Sequence, residues 1–207
     1  MKVPLFPLST AVLFPRVFMP LHIFEPRYRA MLADALQGSK RIAMGLLSPR
    51  EGEVHGICGV GLIVRHESLP DGRSNIMLLG EIRARILTQE KTGPYLTARV
   101  ERLAEVAPET APGRAALQRL EAFLREAFRT RFHGEGERLL AQLLKQGLDP
   151  GALADFAASV LLPDPLARQG ILETLDVLQR VERLCTLVSA KTRRAAWAGE
   201  PSGILLN

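Results

Sequence analysis

Residues 20–32, Pro20-Leu-His-Ile-Phe-Glu-Pro-Arg-Tyr-Arg-Ala-Met-Leu32, change period in mid-stretch. Up to Phe24 the residues suit an extended strand. Pro26 then suits a first helical position, where its missing N–H would have had no partner anyway. Tyr28, Met31, Leu32, Ala35 and Leu36 follow at the spacing of one helical face, and Gly38 is expected to close the helix in the left-handed conformation. His22 and Glu25 could share a face only if the helix already covered residue 22. In an extended segment an i, i+3 pair points to opposite sides. Neither HExxH nor CxxC spacing occurs among His55, His66, His133, Cys58 and Cys185, so no metal site and no cofactor are expected. Glu25 is expected to favour the helix N-terminus by its charge and to pair with an arginine.

Working outward, the chain is rich enough in apolar residues (47% of 207) to bury a substantial core as one domain or two small ones. No apolar run approaches the roughly 18 residues that span a bilayer. Prolines 4, 7, 15 and 20 break any helical leader at the N-terminus, and two distant lone cysteines suit a reducing compartment; the expectation is a cytoplasmic protein with no membrane association. The net charge of +5 raises nucleic acid or an acidic partner, although no block of like charges occurs.

Residues 1–107 read as short strands: 3–8, 11–14, 18–23, 42–47, 57–64, 75–79, 83–88 and 95–103, with one inserted helix. Pro70 and Gly72 mark a tight turn. Many short strands closed by turns suggest a barrel or highly curved sheet. Residues 108–207 have helical period: stripes at Leu117, Leu120, Leu124 and Phe128, at Leu139, Leu140, Leu143 and Leu144, and at Leu153, Phe156, Ala157 and Val160. A last helix, capped by Asp164 with Pro165 following, is expected to run to about residue 190 along Ile171, Leu175, Leu178, Val181, Cys185 and Val188. The fold class expected is α+β: an N-terminal β-barrel domain (1–107) and a C-terminal α-helical bundle (108–207).

Catalytic patterns are missing. Cys185 lies on an apolar stripe, Ser189 and Lys191 sit at a helix end without a nucleophile elbow, and neither phosphate-binding glycine motif occurs. Gly56, Gly59 and Gly61 fall in a strand, where they signal a bulge or tight packing. Arg83 and Arg85 share a strand face, with Arg65 and Arg99 on other strands. Such a face could bind RNA, but the few aromatic residues make a poor stacking platform, and a solvated or salt-bridged face is expected.

The segment PLFPLSTAVLFPRVFMPLHIFEPRYRAMLADAL (4–36) resembles the start of the Lon protease N-terminal, substrate-binding domain. Gly59-Val60-Gly61, Asp71-Gly72-Arg73, Gly80-x-x-Arg83-x-Arg85-Ile86, Tyr95 to Glu101 and the helical stretch from Leu153 extend the resemblance over nearly the whole chain. It implies a PUA-like β-barrel followed by helices, and a non-enzymatic module whose partners are unfolded or degron-bearing polypeptides or another protein. The 207 residues contain no AAA+ ATPase or Ser-Lys protease segment, so neither activity is expected. Such a module can add a peptide strand to a sheet edge or hold side chains on an apolar patch. In the loop FPRVFM (14–19), Arg16, Phe18 and Met19 are the candidate binding residues, against the alternative that Phe14 and Phe18 plug the barrel end. RNA binding is the alternative function, and an enzyme with a small-molecule pocket between barrel and bundle a third.

Overall fold

A computed structural model describes residues 1–48, 52–108, 110–131 and 149–198. Strands β1 (Lys2–Leu8), β2 (Phe18–Ile23), β3 (Arg41–Leu46), β4 (Ile57–Ser68), β5 (Ser74–Thr92) and β6 (Tyr95–Arg102) form one sheet in the order β2-β5-β4-β3-β1-β6. The sheet curls until the second half of β5 also pairs with β6, from Ala84↔Arg102 to Thr92↔Tyr95. All pairings are antiparallel except β1 with β3. Helix α1 (Pro26–Gln37) follows β2; α2 (Ala111–Arg131), α3 (Pro150–Leu161), α4 (Pro165–Glu173) and α5 (Val177–Ala198) follow the sheet. The architecture is α+β. None of the helices among the described residues is long and apolar enough to cross a membrane.

Alternation along the strands sends side chains to both faces, and each face carries a buried apolar cluster. Val3, Leu5, Ala43, Cys58, Val60 and Ala98 fill one side. Phe6, Ile42, Met44, Ile76 and Leu78 face the other, where α1 contributes Tyr28, Met31, Leu32 and Ala35. A third cluster joins Leu153, Ala157, Ile171, Val181 and Leu184 of the helices to Val12, Phe14 and Leu46.

Several expectations are corrected. Residues 11–14 form no strand, although Val12, Leu13 and Phe14 are fully buried. They cross β4 and β5 at Gly59, Gly61 and Gly80. A Cβ at Gly59 or Gly80 would lie far inside contact distance of the Leu13 or Phe14 carbonyl oxygen. The tight packing expected of Gly59 and Gly61 is thus made by this segment, whereas Gly56 lies before β4 with open space at its Cβ position. The segment also carries Phe14 away from the sheet's own core into the helical cluster. The expected strands 75–79 and 83–88 are parts of continuous β5, bent where Glu81 is the extra residue of a bulge and its carboxylate is held bidentately by Arg41 at 2.6 and 3.0 Å.

Gly38 closes α1 at φ −95°, outside the left-handed region. The left-handed residue is Lys40, whose N–H donates to the Ala35 carbonyl. Gly72 does take positive φ, in a turn closed by its N–H on the Leu69 carbonyl. The expected last helix is two. Asp164 caps α4 as read, through the Leu166 and Ala167 N–H groups, but α4 ends at Glu173. Thr174 is extended, Asp176 bridges to Val106, and the Asp176 carboxylate accepts from the Gln179 N–H to start α5. A sheet-like pairing and a fresh cap outweigh continued helical period there. The stripe 139–144 and His133 lie outside the described residues, as does the Phe128 side chain.

Candidate functional site

Among the described residues β2 pairs only with β5, so one side of it is free. Gly80 N–H donates to the Val17 carbonyl in the register that continues through Phe18↔Leu79. Odd-numbered residues of β2 therefore bond to β5, and even-numbered ones turn their backbone groups outward. Pro20 is even-numbered and removes no ladder bond. It does remove a donor from the free edge, which discourages an added strand. Recognition by strand addition is thereby disfavoured, and side chains become the candidates.

The even-numbered side chains of β2 and their partners build a face directed away from the α1 cluster. Directly paired residues lie on the same side of a sheet, so they form rows. Phe18, Leu79 and Leu62 make an apolar row; Pro20, Met77 and Arg65 make the next; His22, Asn75 and Glu67 make a polar third. Phe18 is 60% exposed and Phe24, just beyond β2, 59%. The polar row is internally bonded: the His22 and Asn75 side chains meet at 2.8 Å, and Asn75 Nδ2 donates to Glu67 at 3.4 Å. A shallow cleft of about 410 Å³ opens over the second and third rows.

The structure separates the three nominated residues. Phe18 stands on this face. Met19, on the opposite side of β2, is half-buried and packs against the α1 cluster. Arg16 has φ 61° in the preceding turn, and its Nη1 donates to Asp149 at 3.0 Å across an exposed ion pair. Phe14 is fully buried. The quoted His22–Glu25 pair also parts: His22 joins the polar row, and Glu25 pairs with Arg27 at 2.9 Å.

A charged cluster not expected from sequence lies between sheet and helices. Arg83 of β5 is buried. It ion-pairs with Glu105 and Asp155, and its Nε donates to the Leu172 carbonyl at 3.1 Å. Arg180 of α5, also buried, reaches Glu105 at 2.9 Å and Asp155 at 3.1 Å. Burial pushes the Asp155 carboxyl up against the pull of both arginines. Although partial burial pushes the other way, the Arg180 and Arg83 guanidiniums hold Glu105 below the usual carboxylate range. Of the arginines expected on a solvated or salt-bridged face, Arg83 is buried and salt-bridged, while Arg65, Arg85 and Arg99 are exposed. The signal for this cluster was an arginine in a strand and an aspartate inside an apolar helical stripe, which only tertiary contact can pair.

Burial pushes the Cys58 thiol to about 12 and the Cys185 thiol to about 11, so neither is a ready nucleophile. Among the described residues no cluster of three or more His, Cys, Asp or Glu side chains could hold a metal ion.

Residues 2–190 match the family described as the ATP-dependent protease La (LON) substrate-binding domain. The Lon protease of Desulfosudis oleivorans is 29% identical over 191 residues, covering 88% of this chain and 23% of that protein. Lon protease 2 of Sorangium cellulosum is 32% identical over 201 residues, 90% of this chain and 24% of its own length. The chain therefore spans about a quarter of these relatives. In fold it is similar to the N-terminal domain of Mycobacterium avium complex Lon protease, with TM-score 0.73 at 21% identity, covering 91% of this chain and 98% of that one. The Xanthomonas campestris Lon N-terminal domain protein gives 0.63, also at 21% identity. By the family match over nearly its whole length, this chain belongs to the Lon substrate-binding domain family.

Proposed function

We propose that the chain is a non-enzymatic, cytoplasmic polypeptide-recognition module built on a PUA-like barrel (1–107) braced by a helical unit (108–207). Its partners are unfolded or degron-bearing polypeptides. The observation that carries this reading is the face of β2, β5 and β4, where Phe18 stands 60% exposed beside half-buried Leu62, Met77 and Leu79. An exposed apolar sheet face with a polar margin suits side chains of an unfolded chain. Met77 adds an adaptable surface for varied sequences. Arg16 and Met19 flank Phe18 and set the turn and strand that present it. Family membership supports the same function.

Fluorescence anisotropy of a labelled unfolded polypeptide, with a labelled RNA in parallel at two salt concentrations, tests the reading. Polypeptide binding that survives added salt is expected. Phe18→Ala weakens it by about 1–2 kcal/mol while changing stability by less than about 0.5 kcal/mol. RNA binding that collapses with salt, with no polypeptide binding, would replace this reading by the nucleic-acid one. A large fall in melting temperature for Phe18→Ala would place that residue in the core instead.

A further inference from the structure

The middle row of this face carries a charge that nothing else in the fold uses. Arg65 is exposed, is the one Lys or Arg lining the cleft, and among the described residues its side chain makes no hydrogen bond or ion pair. Its position depends on a bulge. Register jumps from Ile63↔Leu78 to Arg65↔Met77, leaving Val64 as the extra residue. Had the strands kept regular register through Val64, strict alternation would set Val64 beside Met77 and turn Arg65 to the buried side, opposite Ile76. The backbone irregularity therefore puts a cation, in place of a valine, on an apolar floor.

Resting on the polypeptide reading above, we infer that Arg65 is a carboxylate anchor and that the segments bound pair an apolar side chain with an acidic one two positions away. The spacing follows from the sheet. The Phe18–Leu79–Leu62 row and the Arg65 row lie two residues apart along β2 and β5, about 6.6 Å, with Val64 as the extra residue between them on β4. An extended peptide lying along the strands repeats side chains on one side at the same interval. An apolar side chain on the first row then sets its i±2 neighbour over Arg65. Glu67 lies one row further on, beyond Arg65 from the apolar row, and is engaged by Asn75, so it opposes a carboxylate placed past Arg65 more than one placed on it. The other arginine near this margin, Arg73, is paired with Asp71 at 2.5 Å. Charge complementarity therefore selects an acidic residue at that one position.

Short Gly/Ser-framed peptides carrying Leu-Ser-Asp, Leu-Ser-Asn or Leu-Ser-Lys, each titrated against the full chain, test this. The Asp peptide should bind about fivefold more tightly than the Asn peptide, with Lys weakest, and added salt should shrink the gap. Arg65→Gln should erase the Asp preference and leave the Asn peptide's affinity unchanged. Arg65→Lys should keep part of it, and Arg85→Gln, an equal loss of charge elsewhere, should keep all of it. Equal binding of the three peptides, or an Asp preference that persists in Arg65→Gln, would overturn the anchor while leaving the polypeptide reading intact. Binding of none of them, nor of a longer unfolded polypeptide, would overturn both.

Discussion

Gly80 sits where β5 passes beneath the Phe14 carbonyl, and Gly59 where β4 passes beneath that of Leu13. Neither has a positive φ, so backbone freedom is not what demands glycine; contact is. Gly80→Ala should force the 11–17 segment off the sheet and destabilise by about 3 kcal/mol, read by urea denaturation. A loss under about 0.5 kcal/mol would mean that the segment moves aside freely. Gly59 was legible in sequence as a packing signal, but Gly80 was not, nor was what packs on either. The segment 11–14 has the composition of a strand, and burial of its side chains looks the same in sequence whether its backbone pairs or merely crosses. The proposed face around Phe18 carries two of its features in the sequence unequally. The residues FPRVFM pointed to Phe18, but a period-2 strand through Met19 sends the neighbours to opposite sides, and Arg65, placed by a bulge, left no local mark.

At the scale of elements, Arg83 and Arg180 join β5 and α5 to Asp155 of α3 and to Glu105, which follows β6. Removing one partner leaves buried charge uncompensated. Asp155→Ala should therefore destabilise by about 4 kcal/mol, with both arginines left facing Glu105 alone. A change below about 1 kcal/mol would show that water reaches the cluster and solvates it. Glu105 also ties the cluster to pH. Its folded value lies below the ordinary one, so its contribution is present above the usual glutamate range and lost as pH falls through the depressed folded value. The stability gap between the wild type and Glu105→Gln should accordingly narrow on acidification in chemical denaturation, and a gap that widened would reverse the assigned direction. The break between α4 and α5 belongs to this scale as well. The apolar stripe runs through Leu175, and sequence period could not show that Asp176 pairs with Val106 and starts a new helix.

For the whole molecule, the family and the division into sheet and helices were legible because they rest on long patterns: the proline-punctuated start, the 2-to-3.6 change of period and the ordered short motifs. How the halves lock together was not, because the lock consists of single residues far apart in the chain. The proposed binding face is the β2–β5–β4 surface, where Phe18 is exposed and Leu62, Met77 and Leu79 are half-buried. Amide chemical-shift mapping of the full chain during titration with an unfolded polypeptide tests that claim most directly. Shifts concentrated at Phe18, Leu62, Arg65, Met77 and Leu79 are the predicted result, whereas shifts confined to α2–α5, with that face silent under saturating polypeptide, would contradict it.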